Sequence, residues 1–365
     1  MHIDLMVPMS GKGGVENVMC AVASYLQEQG YRVRVVEFVY NGIPWLPPEI
    51  EFCPLLLNQK VNDISEFLTL YIQFLKQNGA YPDVILASPW PYLSAIAKMA
   101  LTVFPKPCSV ISWMHGPIEE YQKYDLGGID CLKYADAHLV LNERTKRVIL
   151  GQLPDAAVEV VNNPVSFETC VYQEHSYLPE KTLVFVGRLS WEKRVDVILK
   201  GISQTKSAWK LIIIGTGDEK EKLEELAEEL ELGERVTFVG WQERPWDEAK
   251  KASALVLASE YEAYPMVAIE ALACGIPVVS TPVDGVIELI KPGENGFLFS
   301  KDKPEELGAV LDYMESGELP QIDSRTCKES VRRFEWKLAL SDFENKLRAL
   351  LDNIDKIKQK DTSER

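Results

Sequence analysis

Short apolar runs of strand length alternate along this chain with stretches in which apolar residues recur every three or four positions. Residues 3–7, 33–38, 84–87, 110–113 and 137–141 form one series of runs, and 182–186, 210–214, 236–239, 254–258, 277–280 and 296–299 form a second. Runs without a polar face suit parallel strands covered by helices on both sides. The stretches between them read as those helices. Val18, Val22 and Leu26 line one face after the first run, and Leu223, Leu226 and Leu230 form the apolar stripe of an otherwise Glu- and Lys-rich, solvated helix. The repeated alternation predicts an α/β protein of two Rossmann-like, doubly wound parallel-sheet domains.

With 365 residues the chain exceeds what a single core usually organises, which agrees with two domains. Asn163-Pro164 closes the last strand of the first series, and 166–181 is polar without clear periodicity. The reading is therefore a first domain over 1–165, a linker over 166–181 and a second domain over 182–335. A last helix follows over 336–351, and a hydrophilic tail over 352–365 is expected to fray.

Charge narrows the function. The net charge is −16 and both halves are acidic, which argues against duplex nucleic acid as a partner, a local basic patch aside, and weakens broad docking on anionic lipid. Seven cysteines, at 20, 53, 108, 131, 170, 274 and 327, show no zinc or disulfide spacing and read as reduced, mostly buried thiols. The N-terminal residues lack a basic region and a long apolar stretch, and no window approaches the ~20 apolar residues of a membrane span. A cytoplasmic location is expected, with contact at the inner face of the membrane left open.

The richest segment is 259–282, in which Glu262 leaves a buried strand, Pro265 suits the first turn of a helix, and Glu270 follows about a turn later. Unpaired amides of Met266, Val267 and Ala268 would make the helix start an anion site flanked by two carboxylates. At the head of the second domain the strand 182–186 runs into Gly187-Arg188-Leu189-Ser190-Trp191-Glu192-Lys193. Arg188 and Lys193 thus lie at the carboxyl edge of a parallel sheet, where ligands bind, and could hold a diphosphate as fork and point charge. Gly215 and Gly217 form a turn after the next strand, and Gly240-Trp241-Gln242 follows the one after that; such loops read base edges or serve as plain turns. In the first domain, Ser10-Gly11-Lys12-Gly13-Gly14-Val15-Glu16 follows the first strand with neither dinucleotide-fingerprint nor Walker spacing. Its glycines allow close backbone approach to a ligand. His115 follows the fourth run at its carboxyl end. Trp45, Trp90 and Tyr92 are candidates for stacking a sugar or for core packing. There is no Asp-x-Asp, His-Glu-x-x-His or Cys/His cluster, so no catalytic metal is indicated.

Together these motifs resemble the retaining glycosyltransferases of family four, which have the GT-B architecture. Gly187-Arg188-Leu189 with Lys193-Arg194 is similar to the family's phosphate loop, and Glu262 to Glu270 to its Glu-x-seven-Glu signature. Gly240-Trp241-Gln242, Pro245-Trp246 and Tyr264-Pro265-Met266 look more narrowly like lipopolysaccharide galactosyltransferases that make α-1,6 linkages. The resemblance implies a UDP-sugar donor, a saccharide or lipid-linked saccharide acceptor, no metal cofactor, and two facing domains that close on the donor to exclude water. It implies that Arg188 and Lys193 bind the diphosphate, Glu270 the ribose, and Glu262 the donor sugar. By the same likeness Gly13 and Gly14 approach the phosphates or sugar from the first domain, His115 hydrogen-bonds the sugar, and Tyr264, Met266, Val267, Gly215, Gly217, Trp241 and Gln242 line the nucleotide site. The last helix is expected to cross back to the first domain. Two departures stand out: Ala263 replaces the family's usual Gly, and Pro265 removes one amide. A UDP-sugar epimerase of the same architecture and a non-catalytic sugar-binding subunit are the competing readings.

Overall fold

The computed structural model describes residues 1–365 apart from 10, 12, 60–62, 105, 169–180, 251, 263 and 364–365. The chain divides into two compact units, Met1–Pro164 with Ala339–Arg365, and Val165–Leu338. Ser10, Lys12, Ala263, Cys170 and most of the segment read as a linker lie outside the described residues.

The first unit is built on seven strands, β1 (His2–Met9), β2 (Arg32–Tyr40), β3 (Glu51–Leu57), β4 (Val84–Ala87), β5 (Ser109–Trp113), β6 (Ala137–Val140) and β7 (Val158–Val160), in the order β3-β2-β1-β4-β5-β6-β7. Each neighbouring pair is parallel. The central strand β1 is buried over all but its last residue, which is why its sequence shows no alternation. Two charges enter this core as a pair: the Arg34 guanidinium donates to both Asp4 oxygens at 2.9 and 2.7 Å, and the Tyr71 hydroxyl donates to Asp4 at 3.0 Å. A buried pair so bonded avoids the cost of an orphaned charge.

The strand β3 has no counterpart in the sequence reading. It is one of the sheet's two edge strands, exposed or half-buried along its length and containing Pro54, so neither a continuous apolar run nor strict alternation marks it. The helix Trp336–Ser363 also departs from expectation, since it is continuous through the segment read as a fraying tail. From Ala339 onward it belongs to the first unit. There the Tyr31 and Tyr25 hydroxyls donate to Glu344 at 2.9 and 3.2 Å, the Lys346 ammonium donates to the Val160 carbonyl at 2.7 Å, and Phe343 packs on Trp113. Among the described residues no helix is long and apolar enough to cross a membrane. None of the six described cysteines forms a disulfide, and four of them are half-buried rather than buried.

The second unit holds β8 (Thr182–Val186), β9 (Lys210–Ile214), β10 (Val236–Gly240), β11 (Ala254–Leu257), β12 (Val278–Ser280) and β13 (Gly296–Leu298), all parallel, in the order β10-β9-β8-β11-β12-β13. The chain moves outward from β8 through β9 to β10, then returns to start β11 on the other side of β8. Order therefore reverses between β8 and β11, and a crevice opens there at the carboxyl ends of the strands. In the first unit the same reversal falls between β1 and β4. Both units carry the doubly wound topology of the GT-B fold.

Candidate functional site

In the second unit the loops leaving β8 and β11 meet at the point of reversal. Lys193 closes a single 3-10 turn, Trp191–Lys193, after β8, and its ammonium donates to Glu262 Oε1 at 2.5 Å from the loop after β11. The same oxygen accepts the Ser259 hydroxyl at 2.8 Å, and the Ser259 carbonyl in turn accepts the Thr281 hydroxyl at 2.9 Å. Backbone joins the two loops as well, the Glu260 N–H donating to the Glu192 carbonyl at 2.7 Å. Two residues that the sequence separates by 69 positions are thus one ion pair, with side chains 24% and 14% exposed. Arg188 is exposed in the same loop and has no partner among the described residues.

Pro265 is not in the first helical turn. It caps the helix Met266–Ala273 with φ −75° and ψ 103°, and its carbonyl accepts the amides of Ala268 and Ile269 at 3.0 and 3.3 Å. Ala268 therefore drops out of the expected anion site. The amides of Met266 and Val267 have no partner among the described residues and keep the partial positive charge of a helix start.

Glu270, one turn further on, accepts the Trp246 indole N–H at 2.9 Å. Part of the residue reaches solvent, yet its carboxyl is surrounded by protein. That burial raises its pKa, and the indole hydrogen bond opposes the rise. The Tyr264 side chain turns inward. It is buried, its hydroxyl accepts from Arg333 at 3.0 Å and its ring packs on Phe334, so its side chain anchors the loop from behind.

Gly215 and Gly217 have a packing reason of their own. A Cβ on Gly215 would lie 1.8 Å from the Gly187 carbonyl oxygen, and one on Gly217 would lie 2.2 Å from that of Leu189. Their absence lets the β8 loop rest on the β9 loop, where the Gly187 and Leu189 amides donate to Ile214 and Thr216 at 3.0 and 2.9 Å. Trp241 stands at the end of β10 with 69% of its surface exposed, and Gln242 beside it is half-buried.

In the first unit Gly13 caps the helix Gly14–Glu28, and the Glu16 carboxylate folds back over this start to accept the Gly11 amide at 2.6 Å. Glu16 stands three residues after the cap, the position from which a glutamate habitually reaches back. His115 follows β5, is 8% exposed, and has no partner for Nε2 among the described residues. Its ring lies 4.5 Å from that of Trp113. Burial pushes its pKa from 6.5 down to about 3, so the imidazole is neutral at physiological pH. The Tyr92 ring is in the core beside Trp90, while Trp45 is half-buried with its indole N–H on Glu37 at 3.0 Å. Among the described residues no group of three or more His, Cys, Asp or Glu is arranged to hold a metal ion.

Ser259, Trp246 and Glu16 fall within segments that the sequence singles out, but the sequence assigns them no role there. Ser259 lies inside the flagged segment, but its role depends on which way Glu262 turns. Trp246 is 24 positions from its partner, and no spacing rule links them.

His115 and His138 give a measurable pH dependence. Burial lowers His138 as well, to about 4. Below pH 6.5 the unfolded chain takes up protons at both rings that the folded chain refuses, so stability falls as pH drops, by about 1.4 kcal/mol per pH unit for each ring. Urea unfolding of His115→Asn between pH 6 and pH 4.5 should show a shallower decline by one such contribution. An unchanged slope would mean that His115 is charged in the folded protein.

Residues 12–169 match the Glycosyltransferase Family 4 model, and residues 171–333 match Glycosyl transferases group 1. The chain belongs to the family 4, group 1 glycosyltransferases. This glycosyltransferase is 29% identical over 353 residues to the lipopolysaccharide 1,6-galactosyltransferase of Salmonella typhimurium, covering 92% of this chain and 95% of the relative. The solved structure of the lipopolysaccharide outer core galactosyltransferase WaaB, in its apo form, superposes with a TM-score of 0.81 at 26% identity, over 96% of this chain and 99% of that one. Anabaena Alr3699/HepE, solved with UDP and glucose, shares the fold with a TM-score of 0.75 at 18% identity, over 95% and 99% of the two chains.

Proposed function

We propose that this glycosyltransferase moves a hexose, with galactose the first candidate, from a UDP-sugar to a saccharide acceptor in cell-surface glycan synthesis, without a metal ion and with retention of anomeric configuration. The observation that carries the reading is the Lys193–Glu262 pair across the β8/β11 reversal, with Arg188 exposed in the same loop as Lys193 and the Met266 and Val267 amides at the start of the helix that follows Glu262. Cations and helix amides suit a diphosphate, and a carboxylate suits sugar hydroxyls. Likeness to the Salmonella 1,6-galactosyltransferase supports galactose, and the UDP and glucose held by Alr3699/HepE support the donor class.

In this reading the bond between the anomeric carbon and the β-phosphate oxygen breaks with its electron pair leaving on UDP. Arg188, Lys193 and the two amides stabilise that charge as it develops, the role a metal ion fills elsewhere. The acceptor hydroxyl attacks from the face the phosphate leaves, and a phosphate oxygen takes its proton. Glu262 orients the sugar and forms no bond to it. Glu270 binds the ribose hydroxyls, and the neutral His115 offers its ring nitrogen to a saccharide hydroxyl on the first unit.

The test is incubation in EDTA with UDP-galactose, UDP-glucose or their N-acetyl forms and a truncated lipopolysaccharide core oligosaccharide, with the product's anomeric configuration read by NMR. An α-linked product from one donor is expected. A β-linked product would overturn retention, loss of turnover in EDTA would overturn metal independence, and conversion of the donor alone to its epimer would overturn transfer.

A further inference from the structure

Two carboxylates stand in the second unit's site, and the protein holds them by different chemistry. Glu262 is met by an ammonium, which neutralises it; Glu270 is met by the uncharged N–H of Trp246. Trp246 lies in the short helix Pro245–Ala249 after the edge strand β10, and it is 5% exposed, so its indole is fixed by the packing around it. A glutamate side chain has three rotatable bonds, and ordering it costs conformational entropy that a rigid donor offsets in advance. The indole supplies one N–H and no charge of its own, so it aims the Glu270 carboxylate by direction alone. A carboxylate oriented in this way suits a vicinal diol, whose two hydroxyls both donate.

We infer that Trp246 is a positioning residue for the nucleotide ribose, setting the Glu270 carboxylate in the direction that accepts the 2′- and 3′-hydroxyls. The inference rests on the proposed reading of Glu270 as the ribose ligand, and the two can be tested apart. It also separates this tryptophan from Trp241, which is exposed at the end of the same strand and free to meet a ring face.

The experiment compares the binding of UDP and 2′,3′-dideoxy-UDP to the full chain by calorimetry. In the unsubstituted protein UDP should bind at least tenfold more tightly, since hydrogen bonds to a charged group are the strong kind. Trp246→Phe should shrink that ratio to about threefold or less while changing the affinity for dideoxy-UDP by less than about twofold. A purely structural tryptophan would weaken both ligands equally and leave the ratio alone, which would overturn the inference. Replacing Trp246 by benzothienylalanine, which keeps the bicyclic shape and removes only the N–H, gives the same readout if the Phe variant folds poorly. Glu270→Gln serves as the reference. If Glu270→Gln retains the full ratio, the ribose reading of Glu270 fails; if it loses the ratio while both Trp246 variants keep it, the ribose reading stands and the positioning role of Trp246 fails.

Discussion

Lys193→Met should lower kcat for sugar transfer by about 100- to 1,000-fold, the usual cost of removing one preorganised group that meets developing charge. The structure fixes the ammonium at the β8/β11 reversal by a 2.5 Å bond to Glu262. Methionine keeps the length and packing of the stem while deleting the charge. Glu262 retains the Ser259 hydroxyl at 2.8 Å, so the loop keeps one of its ties and the melting temperature should move by only a few degrees. Steady-state kinetics with the preferred donor, alongside a thermal melt, checks both halves of the expectation. A variant that keeps more than a tenth of the original kcat would show that Arg188 and the helix amides carry the leaving group by themselves.

Gly215→Ala should damage both folding and activity. The backbone there has φ of +145°, and a Cβ would stand 1.8 Å from the Gly187 carbonyl oxygen, a separation no relaxation of side chains can relieve because both partners are main chain. Backbone strain and overpacking together place the cost at about 2 to 5 kcal/mol. Either the β9 loop or the β8 loop must shift, and the β8 loop carries Arg188 and Lys193. Urea denaturation should therefore report the lost stability, and UDP binding should weaken in whatever fraction remains folded. Gly233→Ala is the control, since Gly233 also has positive φ but a Cβ there meets nothing within 4 Å; it should cost less stability and leave UDP binding unchanged. Equal losses of binding in the two variants would show that the contact with Gly187 does not set the loop.

Much of the fold was legible because it rests on local pattern. Eleven apolar runs announced eleven of the strands now seen, and burial on both faces is the reason their composition was continuous. Neither edge strand of the first unit gave a run of its own: β3 is exposed or half-buried and contains Pro54, and β7 is only three residues long. The C-terminal helix was read too short for a related reason: polar residues are what a solvated helix face requires, and composition alone does not distinguish that from fraying.

The candidate site divides the same way. By itself the sequence determined which residues occupy the carboxyl ends of β8 and β11, because strand, loop and helix follow one another along the chain and the chemistry of Arg188, Lys193, Glu262 and Glu270 is carried by residue type. Only the tertiary structure decided who meets whom. Lys193 faces Glu262, Trp246 holds Glu270, Tyr264 turns back to Arg333, and Gly215 and Gly217 make room for the neighbouring loop. Those pairings span 69, 24, 69 and about 28 positions, and they depend on strand order and loop packing, which bring together groups that no period along the chain relates.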